Sequence, residues 1–179
     1  MPPNCITPSL LSLLMRYEPE TGLLFWLERP RIFFKMDKDW KRWNTRYAGK
    51  QAFSLNSAGY LDGMIFRTMY RSHQVAWALH YGEWPDDHID HINGDRADNR
   101  IENLRCVGRS ENARNMALGK LNTSGVMGVA PHGQRWRAYI RAGGKNVHLG
   151  VFQTIDEAAS ARKAAEARYG YHENHGRAA

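Results

Sequence analysis

The residues best suited to chemistry lie between positions 90 and 112. Asp90 and His91 are adjacent, and Asn103 and Asn112 follow in the stretch DHINGDRADNRIENLRCVGRSEN. A carboxylate and an Asn amide oxygen are hard ligands that suit Mg²⁺. A neighbouring histidine can take a proton from water near neutral pH. The four residues therefore predict a site that could cut a phosphodiester.

Local patterns predict how the chain brings these residues together. The expected elements are a half-buried strand at 88–92, a turn at 93–95, a returning strand at 103–107 and a short helix at 111–115. Ser110 is a good N-cap for that helix. Asp90 would then come from a strand, and Asn112 from a helix packed on it.

This segment, residues 71–115, resembles the HNH nucleases, which have the ββα-metal fold. The flanking pieces HQVAWALHYGEWP, NRIENL and RSENARN carry the resemblance together with the Asp-His pair. The three letters of the motif fall on His91, Asn103 and Asn112. Asn112 takes the place of the second histidine, a variant common in phage and intron-encoded members.

The resemblance implies a role for each residue. Asp90 and Asn112 would hold one divalent ion, Mg²⁺ or Mn²⁺, and His91 would act as the general base. Asn103 would orient and support the imidazole of His91. The products would carry 5′-phosphate and 3′-hydroxyl ends. The same residue types also occur by chance in turns, and Asn103 alone could be an ordinary turn residue.

Other polar residues near the motif have simpler interpretations. Asp95 and Asp98 are expected to cap turns, and a structural role is favoured for His88 over contact with a phosphate. Asn99 receives no defined role. His73, on the helix predicted over 71–81, is more often a packing or surface residue than a ligand.

Formal charge is unevenly distributed along the chain. The net charge is +7, and residues 81–118 hold 5 Lys/Arg against 8 Asp/Glu, whereas both flanks are basic. Basic flanks can grip phosphates while an acidic centre holds a cation, although scattered surface charge would give the same totals.

The first eighty residues are predicted to form short elements. These are a helix at 8–16, a strand at 23–27, antiparallel strands at 50–56, 59–64 and 65–70, and a helix at 71–81. Residues 28–46 mix basic and aromatic side chains. Trp40, Trp43 and Phe33 could line a nucleic-acid surface with the neighbouring basic residues, but packing on the core is favoured.

Residues after 124 predict a three-stranded sheet followed by a helix. The strands are expected at 125–130, 134–142 and 145–152, and a capping box of Thr154 and Glu157 begins a helix that runs to Gly170. Side chains alternate along a strand, so one face of the sheet is apolar and the other is basic. The candidate DNA-binding residues of this sheet are Arg135, Arg137, Tyr139, Arg141, Lys145 and His148.

This second segment, about 124–170, resembles the apetala-two domain of plant ethylene-response factors, which recurs in phage and mobile HNH endonucleases. The pieces GVMGV, RWRAYIR and HLGVFQTIDEAA carry the resemblance. It implies a sheet that enters the major groove of duplex DNA. The plant domain has arginines on its first strand, where this chain has Ala130 and Pro131, so its base preference does not transfer.

Composition excludes several classes of protein. Two cysteines, Cys5 and Cys106, are too few for a disulfide scaffold or a four-cysteine zinc site. No run of about 18 apolar residues is present, and the N-terminus lacks the basic start of a secretory signal. A cytoplasmic protein, in the host cell of a phage or mobile element, is expected.

The sequence therefore predicts an α+β protein: a ββα-metal nuclease core with an N-terminal strand and helix extension, and a small three-stranded antiparallel sheet packed on one helix. The expected ranges are an N-terminal extension at 1–45, the nuclease domain at 46–118, a linker at 119–123, the apetala-two-like domain at 124–170 and a tail at 171–179. The leading hypothesis is a homing endonuclease, metal-dependent but without a small-molecule cofactor, that nicks duplex DNA as a monomer. Dimerisation would allow double-strand cutting. The alternatives are a DNA-binding regulator with a silent core and an RNA-directed or nonspecific nuclease.

Overall fold

The computed structural model describes residues 6–108, 115–116, 118–119 and 121–177. The chain divides into two compact units, residues 1–107 and 108–179. Four helices and ten strands, in several small sheets, occur within the described residues. The α+β class predicted from the sequence is confirmed.

The first unit surrounds one helix with three small antiparallel sheets. Its helices are α1 (Pro8–Ser12), α2 (Asp37–Tyr47) and α3 (Ser72–Tyr81). In the first sheet, β1 (Met15–Glu18) pairs with β2 (Leu23–Trp26). In the second, β4 (Leu61–Ile65) lies between β3 (Ser54–Leu55) and β5 (Thr68–Arg71). In the third, β6 (His88–His91) pairs with β7 (Leu104–Val107).

The core of this unit forms where α1, β1, β2 and α3 meet. Leu11, Leu14, Leu24, Ile65 and Val75 are almost completely buried there. Burial of one such side chain contributes about 1.5–3 kcal/mol, so this cluster holds the small sheets on α3.

Two elements of the first unit differ from the sequence prediction. The helix expected over 8–16 ends at Ser12, and the chain continues as β1. Residues 37–47 form α2, where no helix was predicted. The N-cap of α2 is Met36, which makes no side-chain capping bond, so the usual start signal is absent. Its aromatic residues at 40, 43 and 47 nevertheless share one helical face.

The second unit is a three-stranded antiparallel sheet packed on one helix. Its strands are β8 (Val129–His132), β9 (Arg135–Ala142) and β10 (Lys145–Phe152), with β9 central, and the helix is α4 (Ile155–Arg168). Thr154 and Glu157 form the predicted capping box. The first strand begins four residues later than expected, because the Ser124 hydroxyl bonds the carbonyls of Val126 and Val129 and holds that segment in a turn.

A buried arginine joins this helix to the sheet. Arg162 is 4% exposed and pairs with Glu166, and its Nη1 donates to the Tyr139 carbonyl at 2.6 Å. A Cβ on Gly128 would lie 2.3 Å from the same Nη1, and Gly128 has φ of +70°. Glycine is therefore required where the chain passes over the guanidinium.

No helix in the described part of the chain is long and apolar enough to cross a membrane.

Candidate active site

The β6–β7 hairpin positions the acid and the histidine of the predicted site. Asp90 lies opposite Arg105, and His91 lies opposite Leu104. Asp90 is 8% exposed and His91 is 4% exposed. Both side chains are buried even though neighbouring strand residues usually face opposite sides, because elements of the first unit cover the end of β6.

Asp90 makes a cross-strand ion pair with Arg105. The Arg105 Nε and Nη2 lie 3.0 and 2.8 Å from the same carboxylate oxygen, Oδ2. The guanidinium offsets much of the cost of burying the carboxylate in its ionised form. An ionised aspartate is the form that binds a divalent cation.

The ring of His91 is oriented by Asn99. The His91 Nε2 lies 3.2 Å from the Asn99 Oδ1, and the Asn99 Nδ2 donates to the Ala97 carbonyl at 3.1 Å. The second bond fixes which end of the amide faces the ring, so Nε2–H is the donor to Asn99. The lone pair of the neutral imidazole then lies on Nδ1, the nitrogen that could accept a proton.

Burial keeps this imidazole neutral. It lowers the pKa of His91 below the usual histidine range, and the Asn99 hydrogen bond and the charges of Asp90, Asp95 and Asp98 oppose this only partly. A histidine that is neutral at neutral pH can act as a base without first losing a proton.

Asn103 clamps the loop that follows His91. Its Oδ1 accepts from the Asn93 amide at 2.9 Å, and its Nδ2 donates to the Asp98 carbonyl at 2.8 Å. The Asn103 carbonyl also accepts from the Ile92 amide at 2.9 Å. Asn103 thus fixes both ends of the 93–98 loop, while the ring bond to His91 comes from Asn99.

The loop itself is held by short polar bonds. Asp95 accepts from the Ala97 amide at 2.9 Å, and Asp98 accepts from the Arg100 amide at 3.3 Å and pairs with its guanidinium. The turn-capping roles predicted for the two aspartates are confirmed. The Arg100 hydrogen bonds lower the pKa of Asp98 to about 2, so this carboxylate stays ionised.

The N-terminal hairpin, β1 and β2, supports the segment that carries Asn99. The Tyr17 hydroxyl donates to the Asn99 carbonyl at 2.7 Å. Gly22, in the turn between the strands, has φ of +72°, and a Cβ there would lie 2.5 Å from the Arg100 nitrogen. Residues before position 27 therefore brace the site, a role the sequence did not reveal.

Two rings pack beside His91, and two arginines lie over one of these rings. The rings of Tyr60 and His73 lie 6.0 and 5.1 Å from the His91 ring. Arg71 and Arg96 lie over the Tyr60 ring at 4.3 and 5.0 Å. His73 is 5% exposed, which agrees with a packing role, and the nearby guanidinium groups would attract a phosphate.

The predicted metal ligands are only partly within the described residues. Asn112, Ser110 and the helix expected over 111–115 lie wholly or largely outside them. Among the residues described, no three His, Cys, Asp or Glu side chains form a metal cluster. A single aspartate with an amide oxygen still suits Mg²⁺, which commonly keeps several waters and binds one or two carboxylates together with substrate phosphates.

The basic sheet face predicted for the second unit is confirmed in its side-chain alternation. Along β9, Ala138 and Ile140 are fully buried, and Arg135, Arg137, Tyr139 and Arg141 are exposed. On β10, Lys145 and His148 are exposed, and His148 pairs with Tyr139 across the strands. Arg135, Arg137, Tyr139, Arg141 and His148 therefore form one solvent-facing patch, here called the basic face, whereas Lys145 lies opposite Ala142 and so belongs to the other face of the sheet.

Asn99 is the site residue that the sequence analysis missed. It is 1% exposed, which is unusual for an asparagine, and it bonds the ring of His91. The spacing between His91 and Asn99 matches neither helix nor strand periodicity, because the loop between them is irregular. The DN dipeptide at 98–99 was the available signal, since such pairs often make side-chain to backbone bonds.

Comparison with known proteins identifies the central segment. Residues 70–114 match a family described as HNH endonuclease, a range that includes α3 and the β6–β7 hairpin. The chain is also 37% identical over 78 residues to Protein 3.8 of Escherichia phage T7, covering 42% of this chain and 64% of that protein. The chain thus spans less than two thirds of that relative's length. No solved structure matches. This chain therefore carries an HNH endonuclease domain at residues 70–114.

Proposed function

We propose that this chain is a homing-type DNA endonuclease that uses a divalent metal ion to nick duplex DNA at a preferred site. The observation that carries the proposal is the buried His91, kept neutral by its surroundings and bonded through Nε2 to Asn99. A buried structural histidine also takes a hydrogen-bond partner. His91 combines this orientation with the adjacent carboxylate of Asp90 inside the range that matches HNH endonucleases, which is what a general base beside a metal ligand requires.

The reaction follows from the residues of the hairpin. His91 takes a proton from water at Nδ1 as the water oxygen attacks the phosphorus. The bond from phosphorus to the 3′ oxygen breaks, and that oxygen leaves with a proton from solvent, which gives 5′-phosphate and 3′-hydroxyl ends. Asn103 and Asn99 keep the loop and the ring in place during this transfer.

Asp90 and Asn112 would hold the ion, Mg²⁺ or Mn²⁺. Bound there, it would supply positive charge against the scissile phosphate and the departing oxygen. Arg105 already contacts one oxygen of Asp90, so it would steady the carboxylate rather than leave it mobile.

The basic face of the second unit would hold the DNA. Three arginines, Tyr139 and His148 share it, and none of these residues is acidic. Lys145, the sixth candidate contact, is exposed at the start of β10. Arginine can bind guanine edges in the major groove, and lysine commonly binds phosphate. An apetala-two-like domain over 124–170 remains part of this proposal.

The second candidate function is that of a DNA-binding regulator whose HNH core has no catalytic activity. The ion pair between Asp90 and Arg105 is the observation that favours it, because a guanidinium can satisfy a carboxylate without any metal. The match of residues 70–114 to HNH endonucleases, with Asp90 and the oriented His91 inside it, favours the nuclease.

A nicking assay separates the two candidates. Supercoiled plasmids carrying a genomic library of the host and its phages would be incubated with the purified chain in Mg²⁺ or in EDTA. The nuclease predicts conversion of some plasmids to open circles in Mg²⁺ only. A regulator would shift plasmid mobility through binding and leave every plasmid supercoiled.

A further inference from the structure

An aromatic cleft in the first unit has no role in the proposed reaction. It has a volume of about 510 Å³ and is lined by side chains from β2, from α2 and from the turn between β4 and β5. The residues that define this aromatic cleft are Trp26, Arg29, Trp43, Tyr47, Phe66 and Arg67. Its size lies within the range of ligand-binding pockets.

A buried guanidinium lies in the wall of the cleft. Arg29 is 9% exposed, and its Nε is buried with no hydrogen-bond partner among the described residues. Its Cζ lies 3.9 Å from the ring centre of Trp43 and 5.0 Å from that of Trp26. Burial lowers the pKa of Arg29 to about 10, so the group is still charged at neutral pH.

The backbone of Arg29 is fixed from both sides. Its amide donates to the Asn44 Oδ1 at 2.9 Å, and its carbonyl accepts from the Trp40 Nε1 at 2.8 Å. The side chain is therefore held in the aromatic wall by α2. A buried cation whose Nε lacks a hydrogen bond is costly unless an anion joins it.

Strained backbone places two further residues at the cleft. Phe66 and Arg67 form the turn between β4 and β5 with φ of +47° and +68°. Glycine and asparagine are preferred in such turns, because a Cβ is strained there. The chain keeps an aromatic and a basic side chain instead, and both line the cleft. Strain of this kind is often retained where the side chains have a function.

The lining favours one class of ligand. The exposed ring of Phe66 and the partly exposed rings of Trp43 and Tyr47 offer faces on which a base can stack, whereas Trp26 is buried. Stacking of a base on an aromatic side chain is the common mode of binding single strands. Two arginines can contact a phosphate, and no carboxylate lines the cleft to repel it.

We propose that the aromatic cleft binds one nucleotide of a DNA strand with its base unstacked, the base lying on the aromatic rings and its phosphate contacting Arg29 and Arg67. The inference rests on the proposed function only for the identity of the polymer as DNA. It adds a second DNA-binding site besides the basic face.

Binding is tested in EDTA, so that no cleavage is required. The full chain would be titrated with a short single-stranded DNA, the same strand without bases, and a deoxynucleoside monophosphate. Tryptophan fluorescence is the readout, and because the chain has six tryptophans, the signal of the cleft is the part of the quenching that depends on Arg67. We expect quenching by the single strand, and binding at least about tenfold weaker for the baseless strand, because stacking is lost.

The main variant is Arg67→Gly, which removes the cation and relieves the strained φ. It should fold at least as well as the wild type and bind the single strand about tenfold more weakly. Arg42→Gln is the matched control, because Arg42 is exposed on α2, pairs with Asp39 and does not line the cleft. Its affinity should stay within about twofold, as expected for an exposed pair. Arg29→Gln should weaken binding further.

The outcomes decide the proposal. Quenching by the single strand that is lost in Arg67→Gly supports the proposal. If quenching by the free monophosphate is lost in the same way, the proposal is supported with a free nucleotide from solution as the ligand. Equal affinity for the baseless strand, or equal loss in Arg67→Gly and Arg42→Gln, would overturn it. Failure of the nicking assay leaves this readout intact, so the two proposals fail separately.

Discussion

At the scale of single residues, the site depends on a histidine that is held neutral and oriented. Asn99 fixes the ring through Nε2, and burial sets the direction of the His91 pKa shift. The histidine is visible in the sequence as part of an Asp-His pair. Its ring partner is not, because an irregular loop brings position 99 to position 91.

Asn99→Asp tests this arrangement through the pH dependence of nicking. A carboxylate beside the ring favours the imidazolium, so the pKa of His91 should rise. The acidic limb of the rate profile should then move to higher pH by about one unit or more. The rate on the alkaline plateau should be largely retained. An unmoved limb would show that Asn99 does not act on the titrating group.

The burial of His73 leads us to expect a loss of folding stability in acid. Burial lowers its pKa from 6.5 to about 3, so the unfolded chain binds a proton at pH values where the folded chain does not. The free energy of unfolding should therefore fall as pH drops below 6.5 toward 3. From this group alone the loss should be about 1.5 kcal/mol between pH 6.5 and about pH 5.

Urea unfolding at several pH values measures that loss. His73→Gln should flatten the acid dependence, and His88→Gln, a change at an exposed histidine, should leave it as in the wild type. Equal slopes in the two variants would contradict a buried, neutral His73.

At the scale of elements, the N-terminal hairpin supports the catalytic loop. The strand at 23–26 could be predicted because a run of apolar residues follows the PETG turn. The strand β6 could be predicted because polar and apolar residues alternate along HIDHI. The strand β1 could not, since it continues from α1 within one apolar stretch. Nor could the packing of Gly22 against Arg100, which depends on tertiary structure.

Gly22→Ala should disturb the site through this contact. The new methyl group would meet the backbone of residues 99 and 100, and both the stability and the nicking rate should fall. Gly49→Ala is the matched control, because Gly49 has φ of +76° and nothing within 4 Å of the added Cβ. The control should cost about 1–2 kcal/mol from strain alone, and Gly22→Ala roughly 1–3 kcal/mol more.

Thermal unfolding and nicking rates would be measured on both variants. If Gly22→Ala and Gly49→Ala lose equal stability and equal activity, the hairpin does not brace the loop.

At the scale of the whole molecule, we propose that the first unit cuts the DNA and that the basic face of the second unit binds it. The central acidic segment and the exposed basic face were both visible in the sequence, the second because strand side chains alternate. Only part of the aromatic cleft could be predicted from the sequence. Trp43 was expected to pack, and it packs on Trp26, yet the buried Arg29 between them appears only in the structure.

Arg137→Gln should weaken binding to duplex DNA, and it should make the affinity less dependent on salt concentration. If Arg137 contacts one phosphate, the slope of log affinity against log salt should fall by about 0.9. Arg168→Gln, on the helix that covers the opposite side of the sheet, should leave the slope nearly unchanged. Identical slopes for the two variants would exclude Arg137 from the DNA contact.

The most direct test of the account compares His91→Ala with His88→Ala on duplex DNA that contains the cognate site. Both histidines belong to β6, but His91 is buried in the site and His88 is exposed. In Mg²⁺, the account predicts nicking by His88→Ala at close to the wild-type rate and at least about a hundredfold slower nicking by His91→Ala. Equal nicking by the two variants would contradict His91 as the general base.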